Sequence, residues 1–167
     1  MRRSGRVLWA VGPLQWRTDF GGQTPLAAAG FDAFLSRRTG DGTLVWEQRL
    51  TRSDVQAHGV SLDAQGRAWV SGHFKESLTV GATTLRSQGK SDVWFGAFSG
   101  DGHLLAARSF GGTSSEYGYA IAVSPRGGVV LSGQFDAPLH VCGRTLASAG
   151  GSDAFRVRVT LPLDGEH

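Results

Sequence analysis

The sequence predicts an all-β fold, and three observations predict it. The chain holds 25 glycines and only 5 prolines, a balance typical of strands joined by many tight turns. Valine, phenylalanine and tryptophan fall in short runs where apolar and polar residues alternate, the period of a half-buried strand. Apolar residues do not recur at helical spacing over any long window.

A sequence repeat of about 60 residues organises these strands. The stretch 89–95 (GKSDVWF) returns at 150–155 (GGSDAF) and, one residue shorter, at 30–34 (GFDAF). Each copy has an aspartate, an aromatic residue two positions later, and, in the two later copies, a glycine one strand earlier. These recurring positions are Asp32, Asp92, Asp153, Phe34, Trp94, Phe155, Gly72 and Gly133.

The clearest complete unit spans 51–110. Strands are predicted at 59–63, 67–72, 92–98 and 103–110, with a looser excursion between 78 and 85. The last two strands are joined by a turn at Asp101-Gly102, because Asp-Gly supplies positive φ at low cost. Four short strands per repeat are the signature of a β-propeller blade.

The other two units are incomplete. Residues 111–167 repeat the first three strands and stop where the next Asp-Gly turn begins, so this blade lacks its last strand. Residues 1–50 begin after the first strand, which makes the first blade incomplete as well. Three explanations stay open: a fragment of a longer product, an open arc with exposed edges that self-associates, or copies that close a ring head to tail.

The combined motifs resemble a known family. Gly-x-x-Asp-[Ala/Val]-[Phe/Trp], then [Thr/Ser]-Gly-Asp-Gly, Phe110-Gly111-Gly112 and [Val/Leu]-Ser-Gly-x-Phe resemble the bacterial beta-propeller repeat (SBBP) proteins over about residues 5–160. The resemblance implies a propeller of four-stranded blades, usually within larger secreted or cell-surface bacterial proteins. It implies no catalytic motif. This chain departs from the family in blade number, since propellers close with about 4–8 blades and the chain has fewer than three complete ones.

Composition narrows the function classes. The net charge is +3, yet the arginines are scattered apart from a small group at Arg2, Arg3 and Arg6, so nucleic acid is disfavoured as a partner. The apolar run 7–11 is too short for a signal peptide or a membrane span. The single Cys142 excludes an internal disulfide, and it aligns with Ala82, which indicates a small apolar filler.

The recurring residues are interpreted as structural. An aspartate present once per blade is expected to accept hydrogen bonds from nearby turn N–H groups. The aromatic residue two positions later is expected to pack between blades. The Asp-Gly pairs at 41, 101 and 164 lack the spacing of a calcium loop. Trp16 and Trp46 have no aromatic counterpart in the other units. An exposed one would stack on a sugar, although packing is the favoured interpretation.

No catalytic, metal or cofactor site is predicted. The histidines at 58, 73, 103, 140 and 167 share no ligand spacing. Glu116 and Asp136 form an acid–base pair only if the fold brings them together at glycosidase separations. The sequence therefore predicts a non-enzymatic propeller module that acts as a scaffold or binding surface, with a carbohydrate-binding or carbohydrate-active propeller as the alternative. Its partner is unknown from sequence.

Overall fold

The computed structural model describes residues 7–14, 31–50 and 54–160. Within these ranges the chain is all-β, with antiparallel sheets and no helix. The fourteen strands, in chain order, are β1 Val7–Leu14, β2 Asp32–Thr39, β3 Leu44–Leu50, β4 Gln56–Leu62, β5 Ala68–Phe74, β6 Ser77–Val80, β7 Thr83–Arg86, β8 Asp92–Phe98, β9 Leu104–Phe110, β10 Glu116–Val123, β11 Val129–Phe135, β12 Leu139–Val141, β13 Arg144–Leu146 and β14 Asp153–Val159.

Three larger sheets follow one another along the chain. The first sheet has the order β1-β2-β3, the middle sheet β4-β5-β8-β9, and the third sheet β10-β11-β14. Every pairing in them is antiparallel, and none of these sheets closes on itself. The all-β prediction is confirmed. The sequence placed β3, β8 and β14 at the residues where the structure has them.

The excursions form two-stranded hairpins. In the middle unit β6 pairs with β7, and in the last unit β12 pairs with β13. The sequence indicated only a loose segment there, because strands of four and three residues are too short for a clear alternation. Leu78 and Leu139 anchor the two hairpins, and both side chains are fully buried.

The middle sheet is covered on both faces. Side chains alternate across a strand, so successive residues of β8 enter different apolar clusters. Trp94 and Phe98 pack with Leu35 of the first sheet. Phe95 packs with Leu131 and with other residues of the third sheet. All seven residues of β8 are buried, which explains its nearly continuous apolar sequence.

Hairpin turns are held by the predicted Asp-Gly pairs. Gly42 and Gly102 both have φ of 91°, the left-handed conformation that glycine adopts without strain. The Asp41 carboxylate accepts the N–H of Thr43 at 3.1 Å. The third pair, Asp164-Gly165, lies outside the described residues. Within the described residues there is also no helix that could cross a membrane.

Candidate functional site

The recurring aspartates lie at the start of the third main strand of each unit, in three different sheets. Asp92 accepts the backbone N–H of Gln88 at 3.1 Å. Asp153 accepts the N–H of Ala149 at 2.7 Å, also four residues earlier. Asp32 instead forms an ion pair with Arg49 on the neighbouring strand. The fold keeps the three carboxylates apart, and each contacts its own surroundings.

Each recurring aromatic residue lies opposite a glycine on the adjacent strand. Phe34 faces Gly12, Trp94 faces Gly72, and Phe155 faces Gly133. An added Cβ at Gly12 would lie 2.9 Å from the Phe34 ring, and one at Gly133 would lie 2.8 Å from the Phe155 ring. The glycines therefore leave the space that the aromatic rings occupy.

Gly72 and Gly133 also approach the first strand of their sheet. A Cβ at Gly72 would lie 1.8 Å from the carbonyl oxygen of Gln56, and a Cβ at Gly133 would lie 1.8 Å from that of Tyr117. The Trp94 indole N–H donates to the same Gln56 carbonyl at 3.1 Å. Trp94 is fully buried, so its hydrogen bond links β8 to β4, the first strand of the middle sheet, from within the core.

Trp46 takes part in packing between sheets. Its ring meets Trp9 edge to face, with centroids 5.2 Å apart. Its indole N–H donates to the carbonyl of Gly100, in the turn between β8 and β9 of the middle sheet, at 3.0 Å. These contacts leave Trp46 half-buried and bridging two sheets rather than free to stack on a sugar. Trp16 lies outside the described residues.

A cluster that the sequence did not indicate forms where the middle and third sheets meet. It consists of His58, His73, Tyr117 and Tyr119, here called the imidazole–tyrosine cluster. The rings of His58 and His73 stack with centroids 5.1 Å apart and an angle of 21°. Tyr117 meets His73 edge to face at 4.8 Å, and Tyr119 meets His58 edge to face at 5.9 Å.

Two matching β-bulges bring the cluster together. The β4–β5 register shifts between Ala57 and Gly59, and the β10–β11 register shifts between Gly118 and Ala120. His58 and Tyr119 are the extra residues, and they occupy equivalent positions of the repeat. A bulge turns a side chain away from the regular pleat. Their equivalent positions in the repeat were the available signal, but the two residue types differ, so sequence comparison did not connect them.

Burial lowers the pKa values of both histidines in the cluster. Burial, together with the nearby charges of His58 and Lys75, lowers the pKa of His73 to about 4. Burial also lowers the pKa of His58. Lys75 is not a free charge, because it pairs with Asp54 at 2.9 Å. At pH 7 the two imidazoles and the Tyr119 phenol are therefore neutral. The cluster offers both flat faces and hydrogen-bonding groups.

Exposure differs sharply within the cluster. His73 is 7% exposed, and its Nδ1 has no hydrogen-bond partner in the described part of the chain. Tyr119 is 46% exposed, and His58 is also exposed. Buried His73 and half-buried Tyr117 thus hold the two exposed rings in place. No group of three or more His, Cys, Asp or Glu residues suited to a metal ion occurs among the described residues.

Glu116 is a second unrepeated polar residue, and it replaces the buried Val55 of the middle unit. Its side chain is fully buried. One carboxylate oxygen accepts the N–H of Gly112 at 2.8 Å, whereas the other has no partner among the described residues. Burial raises its pKa to about 7, and the charges of Asp92 and Asp136 act in the same direction.

Glu116 and Asp136, which the sequence offered as an acid–base pair, differ in solvent exposure. Asp136 is exposed and accepts the hydroxyl of Ser152 at 2.6 Å. Glu116 has no exposed surface, so a glycan in solvent does not reach its carboxyl in this conformation. Cys142 is exposed in the β12–β13 turn, with φ of 50°, rather than filling an apolar space.

Neither the protein-family models nor the curated proteins contain a match to this chain.

Proposed function

We propose that this chain is a β-propeller repeat module without catalytic activity, and that its role is to present a binding surface. The three larger sheets are consecutive blades in this proposal. Two features support it: each unit reuses the same aspartate, glycine and aromatic positions, and the middle sheet buries both faces between its neighbours. The motif resemblance to the SBBP proteins points to the same architecture.

The imidazole–tyrosine cluster is the observation that carries the binding role. It lies where two sheets meet, and it combines two exposed rings with two supporting rings beneath them. The ring planes of Tyr117 and Tyr119 are nearly parallel, at 6°, with centroids 6.4 Å apart. A rigid aromatic surface supplies contact area at low entropic cost, because the side chains are already held in place.

A carbohydrate-binding propeller is the second candidate function, and the exposure of Tyr119 favours it. The C–H face of a sugar packs against an aromatic face, while its hydroxyl groups exchange hydrogen bonds with neutral imidazole and phenol groups. The cluster has both kinds of group within one small surface. This candidate no longer depends on Trp46, whose ring is engaged between sheets.

Binding to a panel of glycans tests this candidate. We expect His58→Ala and Tyr119→Ala to weaken binding at least about tenfold, the loss typical of a residue central to a contact. His103→Ala is the matched control, because the His103 side chain is 82% exposed and lies outside the cluster. A panel without any bound glycan rejects the carbohydrate candidate. Equal binding by His103→Ala and Tyr119→Ala rejects the surface.

A hydrolase screen tests the absence of catalysis. Turnover that disappears in Glu116→Gln while the fold persists would overturn the non-enzymatic proposal. Absence of turnover across ester, glycoside and phosphate substrates is the expected result.

A further inference from the structure

The outer strand of the third sheet carries arginines where its equivalent in the middle sheet carries apolar residues. Arg156 stands at the position of Phe95, and Arg158 stands at the position of Ala97, as the matching registers with β11 and β5 show. Phe95 and Ala97 are buried against the next sheet. Arg156 and Arg158 are exposed, so this face of the third sheet is not prepared to receive another apolar sheet.

Two cavities flank β14, and both are lined by Arg156 and Arg158. One has a volume of about 650 Å³ and reaches Arg126 in the β10–β11 turn. The other has a volume of about 310 Å³ and reaches Arg144 of the β12–β13 hairpin. None of the residues lining either cavity is acidic. Within the described residues these four guanidinium groups form no ion pair.

The smaller cavity occupies the place of a strand. In the middle sheet β8 pairs with β9, and the β6–β7 hairpin contacts β9 from outside. In the third sheet β14 corresponds to β8, and the β12–β13 hairpin corresponds to β6–β7. Among the described residues no strand pairs with the outer edge of β14. An unpaired edge presents a row of backbone N–H and C=O groups that a further strand can use.

We propose that the edge of β14 binds an extended acidic segment of a partner protein by strand addition. Backbone hydrogen bonds to β14 would supply the affinity, and carboxylates would supply the specificity. Arg156 and Arg158 are two residues apart on one face, so the partner needs Asp or Glu at two alternate positions. Arg126 and Arg144 extend the positive surface on the two sides of the strand. This site is separate from the imidazole–tyrosine cluster.

The experiment uses the whole chain and a fluorescent peptide in which Glu and Val alternate over nine positions, at physiological ionic strength. We expect saturable binding, and we expect new protection of β14 amides in hydrogen exchange, because the added strand shields the edge. Arg156→Glu combined with Arg158→Glu should weaken binding at least about tenfold, since both charge-assisted contacts become repulsive. A peptide with Lys in place of Glu should bind this variant more tightly than it binds the original chain.

Three controls separate strand addition from general attraction to anions. Arg86→Glu with Arg108→Glu reverses two exposed arginines of the middle unit, one on β7 and one on β9, and should leave binding unchanged. Arg156→Gln with Arg158→Gln removes the charges without repulsion, and circular dichroism verifies that both pairs of variants fold. A peptide with alternate amides N-methylated keeps every carboxylate but cannot complete the hydrogen-bond ladder, so it should bind much more weakly.

Four results would overturn the proposal. The first is an acidic peptide that does not bind, and the second is an Arg156 and Arg158 double variant that binds the peptide as tightly as the original chain does. The third and fourth are an N-methylated peptide, or a peptide with contiguous glutamates, that binds as tightly as the alternating peptide. Heparin or single-stranded DNA that binds more tightly than the peptide, without protecting β14 amides, would show instead that the arginines attract a different class of polyanion.

Discussion

Strands β8 and β14 each begin with the recurring aspartate and occupy equivalent places in the repeat, yet their environments differ. All seven residues of β8 are buried, whereas β14 alternates between exposed and covered positions. The residues follow this difference: Phe95 and Ala97 of β8 become Arg156 and Arg158 of β14. Position in the array therefore determines the chemistry of one face, while the positions that hold the repeat together stay constant. Trp94 and Phe155 are among those constant positions.

Replacing the aromatic residue of the middle sheet should have the largest effect. We expect Trp94→Ala to lower the free energy of unfolding by about 3–5 kcal/mol, because it removes a fully buried ring. Trp94→Phe installs the residue found at Phe34 and Phe155 and should cost only about 1–2 kcal/mol, mainly for the lost hydrogen bond to Gln56. Urea denaturation measures both. Tyr119→Ala, which truncates an exposed ring, is the control.

A loss below about 1 kcal/mol for Trp94→Ala would contradict the buried position of this ring. It would also remove the reason for treating β8 and β14 as the same strand in two environments.

The glycine opposite each aromatic residue should come next. Gly72→Ala and Gly133→Ala should each cost about 1–3 kcal/mol, because the new methyl group overlaps a backbone carbonyl that cannot rotate away. The two variants should lose similar stability, since in both the added Cβ would lie 1.8 Å from a carbonyl oxygen of the first strand. Gly100→Ala is the matched control, with no atom within 4 Å of its added Cβ. Urea denaturation of the three variants decides, and equal stability of all three would refute the steric argument.

The repeat explains which features sequence reasoning could predict. Strands β8 and β14 and the Asp-Gly turns depend on local signals, and three copies of each signal reinforce one another. The recurring glycine and aromatic positions were visible for the same reason. Their physical relation, a glycine that leaves space for the ring and for the first strand, needed the register of three strands.

Sequence reasoning could not assemble the imidazole–tyrosine cluster. His58 and Tyr119 lie 61 residues apart and meet only because both are bulge residues at one junction. His58 and His73 have no metal-ligand spacing, so their stacking has no local signal. Glu116 was noticed as a carboxylate, but its burial follows from packing between the middle and third sheets rather than from its neighbours in the chain.

Glu116 differs from its counterpart Val55, and the pH dependence of stability should report this difference. Its folded pKa of about 7 lies above the ordinary value of 4.5, so the native state holds more protons between these values. Stability from this group is therefore complete below about pH 4.5 and is lost as the pH rises through 7. Glu116→Gln should be more stable than the original chain by about 1–2 kcal/mol at pH 8 and by little at pH 4.5.

Chemical denaturation across this pH range measures the difference, and Glu76→Gln, at an exposed glutamate, is the control. A constant difference between Glu116→Gln and the original chain at every pH would show that the carboxyl is solvated in the folded state.

The smallest effect should come from His73, and it has the opposite sign. Its folded pKa of about 4 lies below 6.5, so the unfolded state holds more protons between these values, and stability falls as the pH drops from 6.5. His73→Gln, which installs the residue of the equivalent position Gln134, should abolish this loss and gain about 1 kcal/mol at pH 5 relative to pH 8. His103→Gln is the control at an exposed imidazole.

The pH dependences of stability that come from His73 and Glu116 overlap between about pH 4.5 and 6.5 and partly cancel in the original chain. His73→Gln should therefore reveal a falling profile, and Glu116→Gln a rising one. Parallel profiles for the two variants would mean that neither buried group titrates as its surroundings require.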